Sequence, residues 1–78
     1  MDIKQAKEYF HLGVISKIHV LPDALDSSAW TICLEGTNDQ YWILNTALGK
    51  IKSYKSLDTA ADEIRSITGR ISSFFITT

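Results

Sequence analysis

The chain is expected to fold as α+β: a two-layer sandwich in which a mainly antiparallel sheet carries two helices on one face, with the element order α-β-β-β-β-α-β. Three observations predict this. Two segments repeat apolar residues at helical spacing between capping signals. Five short segments rich in β-branched and aromatic residues are separated by turn residues. Most of the links between strands are too short for parallel crossovers, so neighbours should run antiparallel. Each helix has one apolar stripe, and the sheet is the partner on which both stripes can be buried.

The first helix is read over Ile3–Leu12. Asp2 and Gln5 form a capping-box pattern, Ile3, Ala6 and Phe10 share a face, and Gly13 supplies a stop. Val14–Leu21 is a strand ended by Pro22, and a polar loop follows to Ser28. Ala29–Glu35 and Gln40–Thr46 read as a hairpin around Gly36-Thr37-Asn38-Asp39, residues that suit a tight turn. A second turn, Ala47-Leu48-Gly49-Lys50, leads to a further arm at Ile51–Lys55. Ser56 caps the second helix, whose stripe is Leu57, Ala60, Ala61, Ile64 and Ile67, and Gly69 ends it. Ile71–Ile76 is a final strand.

Strand alternation sorts the faces. Trp30, Ile32 and Leu34 point one way with Trp42 and Leu44, and these bulkier residues belong under the helices. The core is expected to unite Trp30, Leu34, Trp42, Leu44, Phe10, Leu57, Ala61 and Ile64. The opposite face carries Thr31, Cys33, Tyr41 and Ile43, joined by Ile15 and His19 from the first strand. It is too apolar to be an ordinary solvated face. Either it is an interface, for self-association or for a protein partner, or the final strand or a loop folds over it.

A length of 78 residues makes one domain, 1–78, near the lower size for folding without staples. The hydrophobic share of 45% with 22% charged residues is that of a globular chain. Its one cysteine, Cys33, cannot close an internal disulfide or build a cysteine cage for zinc. The start, MDIKQAKEYF, lacks the apolar run of a secretory signal, and no stretch reaches membrane-spanning length, so a cytoplasmic protein without membrane attachment is expected. The net charge is −1 but unevenly placed. Ile18 to Gly49 contains no Lys or Arg, whereas Asp23, Asp26, Glu35 and Asp39 fall within it; from Lys50 onward basic residues outnumber acidic ones.

Catalytic and cofactor motifs are missing: there is no phosphate-binding glycine loop, no nucleophile elbow and no paired-cysteine or zinc-binding helix pattern. Nothing in the spacing brings His11 or His19 to Cys33 as a base beside a nucleophile. No enzyme, cofactor, metal site or small-molecule substrate is expected. Lys50, Lys52 and Lys55 with Tyr54 among them form the nucleic-acid candidate, cations for phosphates and an aromatic ring for a base. The competing reading makes the lysines guards of an edge strand and Tyr54 a core residue beneath the second helix.

The segments AKEYFHLGVI, W-x-I-C-L-E-G and YWILNTALGKIKSYKSLDTAA, with the later ITG, resemble a family of short bacterial proteins encoded on plasmids and integrative elements. These are often labelled plasmid replication or partition accessory proteins. The most specific part of the likeness is Thr46–Ala61, where Lys52 and Tyr54 match a basic-x-aromatic spacing. Leu48 stands where that family often has a basic residue. The resemblance implies a non-enzymatic accessory binding module of a mobile element, acting through DNA or a protein. The alternative is a homodimeric interaction protein with no nucleic-acid role.

Overall fold

The structure, a computed structural model, describes residues 1–69 and the backbone of Phe75 and Ile76. The observed order is α1 (Ile3–His11), β1 (Ile15–Pro22), β2 (Trp30–Gly36), β3 (Tyr41–Ile43), α2 (Leu57–Thr68) and β4 (Phe75–Ile76). β1, β2 and β3 form an antiparallel sheet, and the two-residue β4 lies parallel to β1 through His19↔Phe75 and Val20↔Ile76. The sheet order is β3-β2-β1-β4. The α+β class expected from the sequence is therefore present, but the expected element order is not.

Both helices begin and end where local chemistry directs. The Asp2 carboxylate accepts from the Gln5 amide N–H at 2.8 Å, and the Gln5 side chain returns the bond to the Asp2 N–H at 3.1 Å. The Ser56 hydroxyl accepts from the Thr59 N–H at 3.2 Å at the start of α2, and Gly69 ends it in the left-handed region at φ 77°.

The core lies between the helices and one face of the sheet. Ala6 of α1 and Ala60, Ile64 and Ile67 of α2 pack on Ile18, Val20, Ile32 and Leu34, with Leu44 and Tyr54 joining them. A fully buried Leu or Ile contributes about 1.5–3 kcal/mol, so Leu34, Leu44 and Ile64 are principal anchors. The other expected core residues behave differently. Trp30, Trp42, Phe10, Leu57 and Ala61 are only half-buried, forming the rim rather than the centre. Trp30, Trp42 and Phe10 keep part of their rings at the margin, whereas the Tyr54 ring is enclosed.

Two further corrections follow from backbone geometry. Ile15, expected on the face away from the helices, is buried in the core. The β1–β2 register shifts between Ile15 and Lys17, so these two residues no longer share a face. The expected arm at Ile51–Lys55 does not form a strand beside β3. β3 pairs with β2 through Glu35↔Tyr41, Leu34↔Trp42 and Cys33↔Ile43, and the Leu44 N–H then donates to the Ile32 carbonyl at 2.9 Å. The next pairing on this edge of β2 is Trp30 with Tyr54, whose N–H groups donate to each other's carbonyls at 2.7 and 2.8 Å.

Residues 52–54 thus resume the lane of β3, and residues 45–51 are a loop ejected from it. Lys52 donates to the Leu44 carbonyl at 2.9 Å to close the neck, and Asn45 bridges Ile51. Gln40–Thr46, expected to be one strand, is consequently a strand only over Tyr41–Ile43. Of the expected final strand, Phe75–Ile76 is observed, and the part before Phe75 lies outside the described residues. The outer edge of β3 is occupied by Met1, whose carbonyl accepts from Asn45 at 2.7 Å. No helix among the described residues is long and apolar enough to cross a membrane.

Candidate functional site

The register places Thr31, Cys33, Tyr41 and Ile43 together on the sheet face opposite the helices, with Leu21 and His19 of β1 beside them. Thr31 and Cys33 lie on the central strand and are buried, Ile43 is half-buried, and Tyr41 at the border is 60% exposed. Thr31 donates its hydroxyl to the Leu21 carbonyl at 3.4 Å, so its polar atom is satisfied within the sheet. The four residues picked from alternation do share one surface: an apolar floor with a phenol at its rim.

The electrostatics of this face centre on Glu35. Its carboxylate meets His19 Nε2 at 2.9 Å. Glu35, with burial and then Asp39 adding to it, pushes the Tyr41 phenol above its ordinary range. Burial, and then Glu35, raises the Cys33 thiol as well. The carboxylate of this face thus stands on the central strand, with Tyr41 across from Glu35 on β3 and Lys17 across from it on β1.

Sequence spacing does not reveal that His19 is the direct cross-strand partner of Cys33. Antiparallel pairing of β1 with β2 makes them neighbours, and only the register could have disclosed it. The arrangement is not that of an activated nucleophile. The histidine nitrogen in hand is engaged by Glu35, and the thiol, 8% exposed, is held in its neutral form by burial. His11 is exposed at the end of α1, away from this group in sequence and element. Among the described residues no cluster of His, Cys, Asp and Glu could hold a metal ion.

The lysine segment resolves into two parts. Tyr54 is 7% exposed and belongs to the core cluster, as the reading of it as a core residue had it, so its ring is not open to stacking by a nucleobase. Its hydroxyl donates to Glu63 Oε1 of α2 at 3.0 Å, and Lys52 pairs with the same carboxylate oxygen. The Lys52 ammonium also lies 5.8 Å from the centre of the Tyr54 ring. Burial first, then Glu63, raises the Tyr54 phenol strongly, so it serves as a hydrogen-bond donor. Lys50 and Lys55 remain exposed. Lys52 and Tyr54 therefore tie the β3 lane to α2, a role for which the signal was Glu63 on the inward margin of the α2 stripe.

The turn expected at Ala47-Leu48-Gly49-Lys50 is present, but it belongs to a loop ejected from the sheet, which sequence reading missed. Thr46 donates to the Lys50 carbonyl at 2.7 Å, Gly49 donates to the Thr46 carbonyl at 2.9 Å, and Gly49 takes φ 85°. The loop is closed on itself, yet Leu48 at its tip is 88% exposed and Ile51 is 55% exposed. Compact loops with adjoining ends are often functional.

No protein-family model, no curated protein and no solved structure matches the chain.

Proposed function

We propose that this chain is a non-enzymatic binding module that engages a protein partner through the sheet face opposite its helices, as an accessory of a bacterial plasmid or integrative element. The mobile-element setting rests on the resemblance of the Thr46–Ala61 segment to that family. The binding role rests on one observation: on the sheet face that neither helix occupies, half-buried Ile43 and the 60% exposed Tyr41 sit beside Glu35, over buried Thr31 and Cys33. Apolar and aromatic side chains left exposed together on one face of a small domain often mark an interaction site. A protein partner is favoured over DNA because Lys52 and Tyr54, half of the nucleic-acid candidate, are engaged by Glu63.

An Ile43→Lys variant adds a cation to this face and leaves the helix-side core untouched. The immobilised wild-type chain should retain a protein from a bacterial extract that the variant, with unchanged melting temperature, does not retain. Identical retention by both chains, or none by either, removes the face as the binding surface. Filter retention of duplex DNA at low salt, lost when Lys50, Lys52 and Lys55 are changed to Gln, would move the function to DNA instead.

A further inference from the structure

We infer that residues 45–52 are a finger inserted into the third strand, which the fold does not need and by which the chain recognises its partner: a protein that takes Leu48 into an apolar pocket with a carboxylate rim for Lys50. This rests on reading the chain as a protein-binding module and names the element that does the recognising.

The register identifies the insertion. Pairing of β2 with β3 runs Glu35↔Tyr41, Leu34↔Trp42 and Cys33↔Ile43, so an uninterrupted strand would set Thr46 opposite Trp30. Tyr54, eight residues later, stands there instead. An even offset preserves side-chain alternation, so Tyr54 joins Leu44 in the core as though nothing lay between them. The ends of the insertion meet, since the Lys52 N–H donates to the Leu44 carbonyl at 2.9 Å. The inserted residues form a small hairpin of their own. Asn45 bridges Ile51, Thr46 and Lys50 close the next step, and Gly49 turns the chain in the left-handed region at φ 85°.

The finger's apolar surface is not used in the core: Leu48 is 88% and Ile51 55% exposed. Being closed already, the finger orders little further chain on docking, which lowers a main cost of association. Its chemistry selects the partner. From Gln40 to Leu57 there are three lysines and no Asp or Glu, and Lys50 is exposed beside the two apolar residues, so an acidic rim is the complement. One leucine and one isoleucine cannot hold a bilayer, where even a full acyl chain binds only marginally. Duplex DNA is poorly matched by a chain of net charge −1 whose Lys52 is engaged by Glu63.

Excision tests the insertion. A chain in which Leu44 is joined directly to Ser53 should melt cooperatively within about 8 °C of wild type. Joining Leu44 to Lys52 removes one residue fewer and turns Tyr54 to the other face, so that chain should melt far lower or without a transition. Equal stability of the two chains, or failure of both to fold, overturns the insertion. For recognition, the protein that immobilised wild-type chain retains from a bacterial extract is purified and titrated against wild type and variants. Leu48→Asp and Lys50→Glu, with unchanged melting, should bind it about tenfold or more weakly. Undiminished binding by both, with Ile43→Lys deficient, overturns the finger and leaves the sheet face standing. Binding lost in Leu48→Asp but kept in Ile43→Lys supports the finger and removes the face. No protein retained by wild type overturns both.

Discussion

Gly36 shows how a residue's role can be right in place and wrong in cause. Its position at the hairpin suggests a backbone need for glycine, yet it does not adopt positive φ; the residue that does is Asp39, at φ 58°. Gly36 is required because of Trp42. A Cβ there would lie 2.9 Å from two carbons of the Trp42 ring. That ring is also held edge-on by Tyr9, with centroids 5.7 Å apart and an interplanar angle of 82°, so it cannot readily swing away. Gly36→Ala should therefore lower stability by about 1–3 kcal/mol, the usual cost of overpacking. Urea denaturation would read this as a lower midpoint with unchanged slope. In a Trp42→Leu background the same substitution should cost clearly less. A midpoint unaltered by Gly36→Ala would show that the ring is not wedged there.

At the scale of elements, the helices and the β2–β3 hairpin were readable, and the end of β3 was not. Capping is written in residues three apart, so Asp2–Gln5 and Ser56–Thr59 can be found without knowing the fold. Ser56→Ala should cost about 1 kcal/mol and Ser56→Gly only a few tenths, because glycine leaves the exposed helix N–H groups open to water. Thermal melts of the two variants would check the order; an Ala variant as stable as wild type would mean that the cap is energetically idle. The lane shared by β3 and residues 52–54 obeys no such local rule. Both Gln40–Thr46 and Ile51–Lys55 have strand composition, and composition alone cannot show that one continues the other's pairing with β2. The bulge in β1 is equally silent in the sequence, which is why Ile15 was assigned to the wrong face.

For the whole molecule, buried Tyr54 and Cys33 link stability to pH. Burial and Glu63 raise the Tyr54 phenol above its ordinary value of 10.0, and burial raises the Cys33 thiol above its ordinary 9.0. In both cases the folded chain keeps a proton that the unfolded chain releases first. Their contributions are whole below those ordinary values and are lost as pH rises beyond them, by up to about 1.4 kcal/mol per pH unit for each group. Urea midpoints should be level from pH 7 to 8 and fall between pH 9 and 11. Tyr54→Phe should flatten the part of the fall above pH 10. Midpoints constant to pH 11 would show that neither group is protected by the fold.

What the sequence by itself determined is whatever depends on short range: two helices with their caps, the α+β class, the Gly36–Gln40 hairpin, and the side-chain alternation that collected Thr31, Cys33, Tyr41 and Ile43 on one surface. Tertiary structure decided what depends on pairing across the chain. It set His19 beside Cys33 and in contact with Glu35, drew Lys52 and Tyr54 onto Glu63, and expelled residues 45–51 from the sheet with Leu48 exposed at the tip. The physical reason is the separation of the partners. A cap is satisfied within one turn of helix, whereas the lane beside β2 is filled by whichever segment best buries Leu44 and Tyr54 against α2, and that choice is settled only when helix and sheet close on each other.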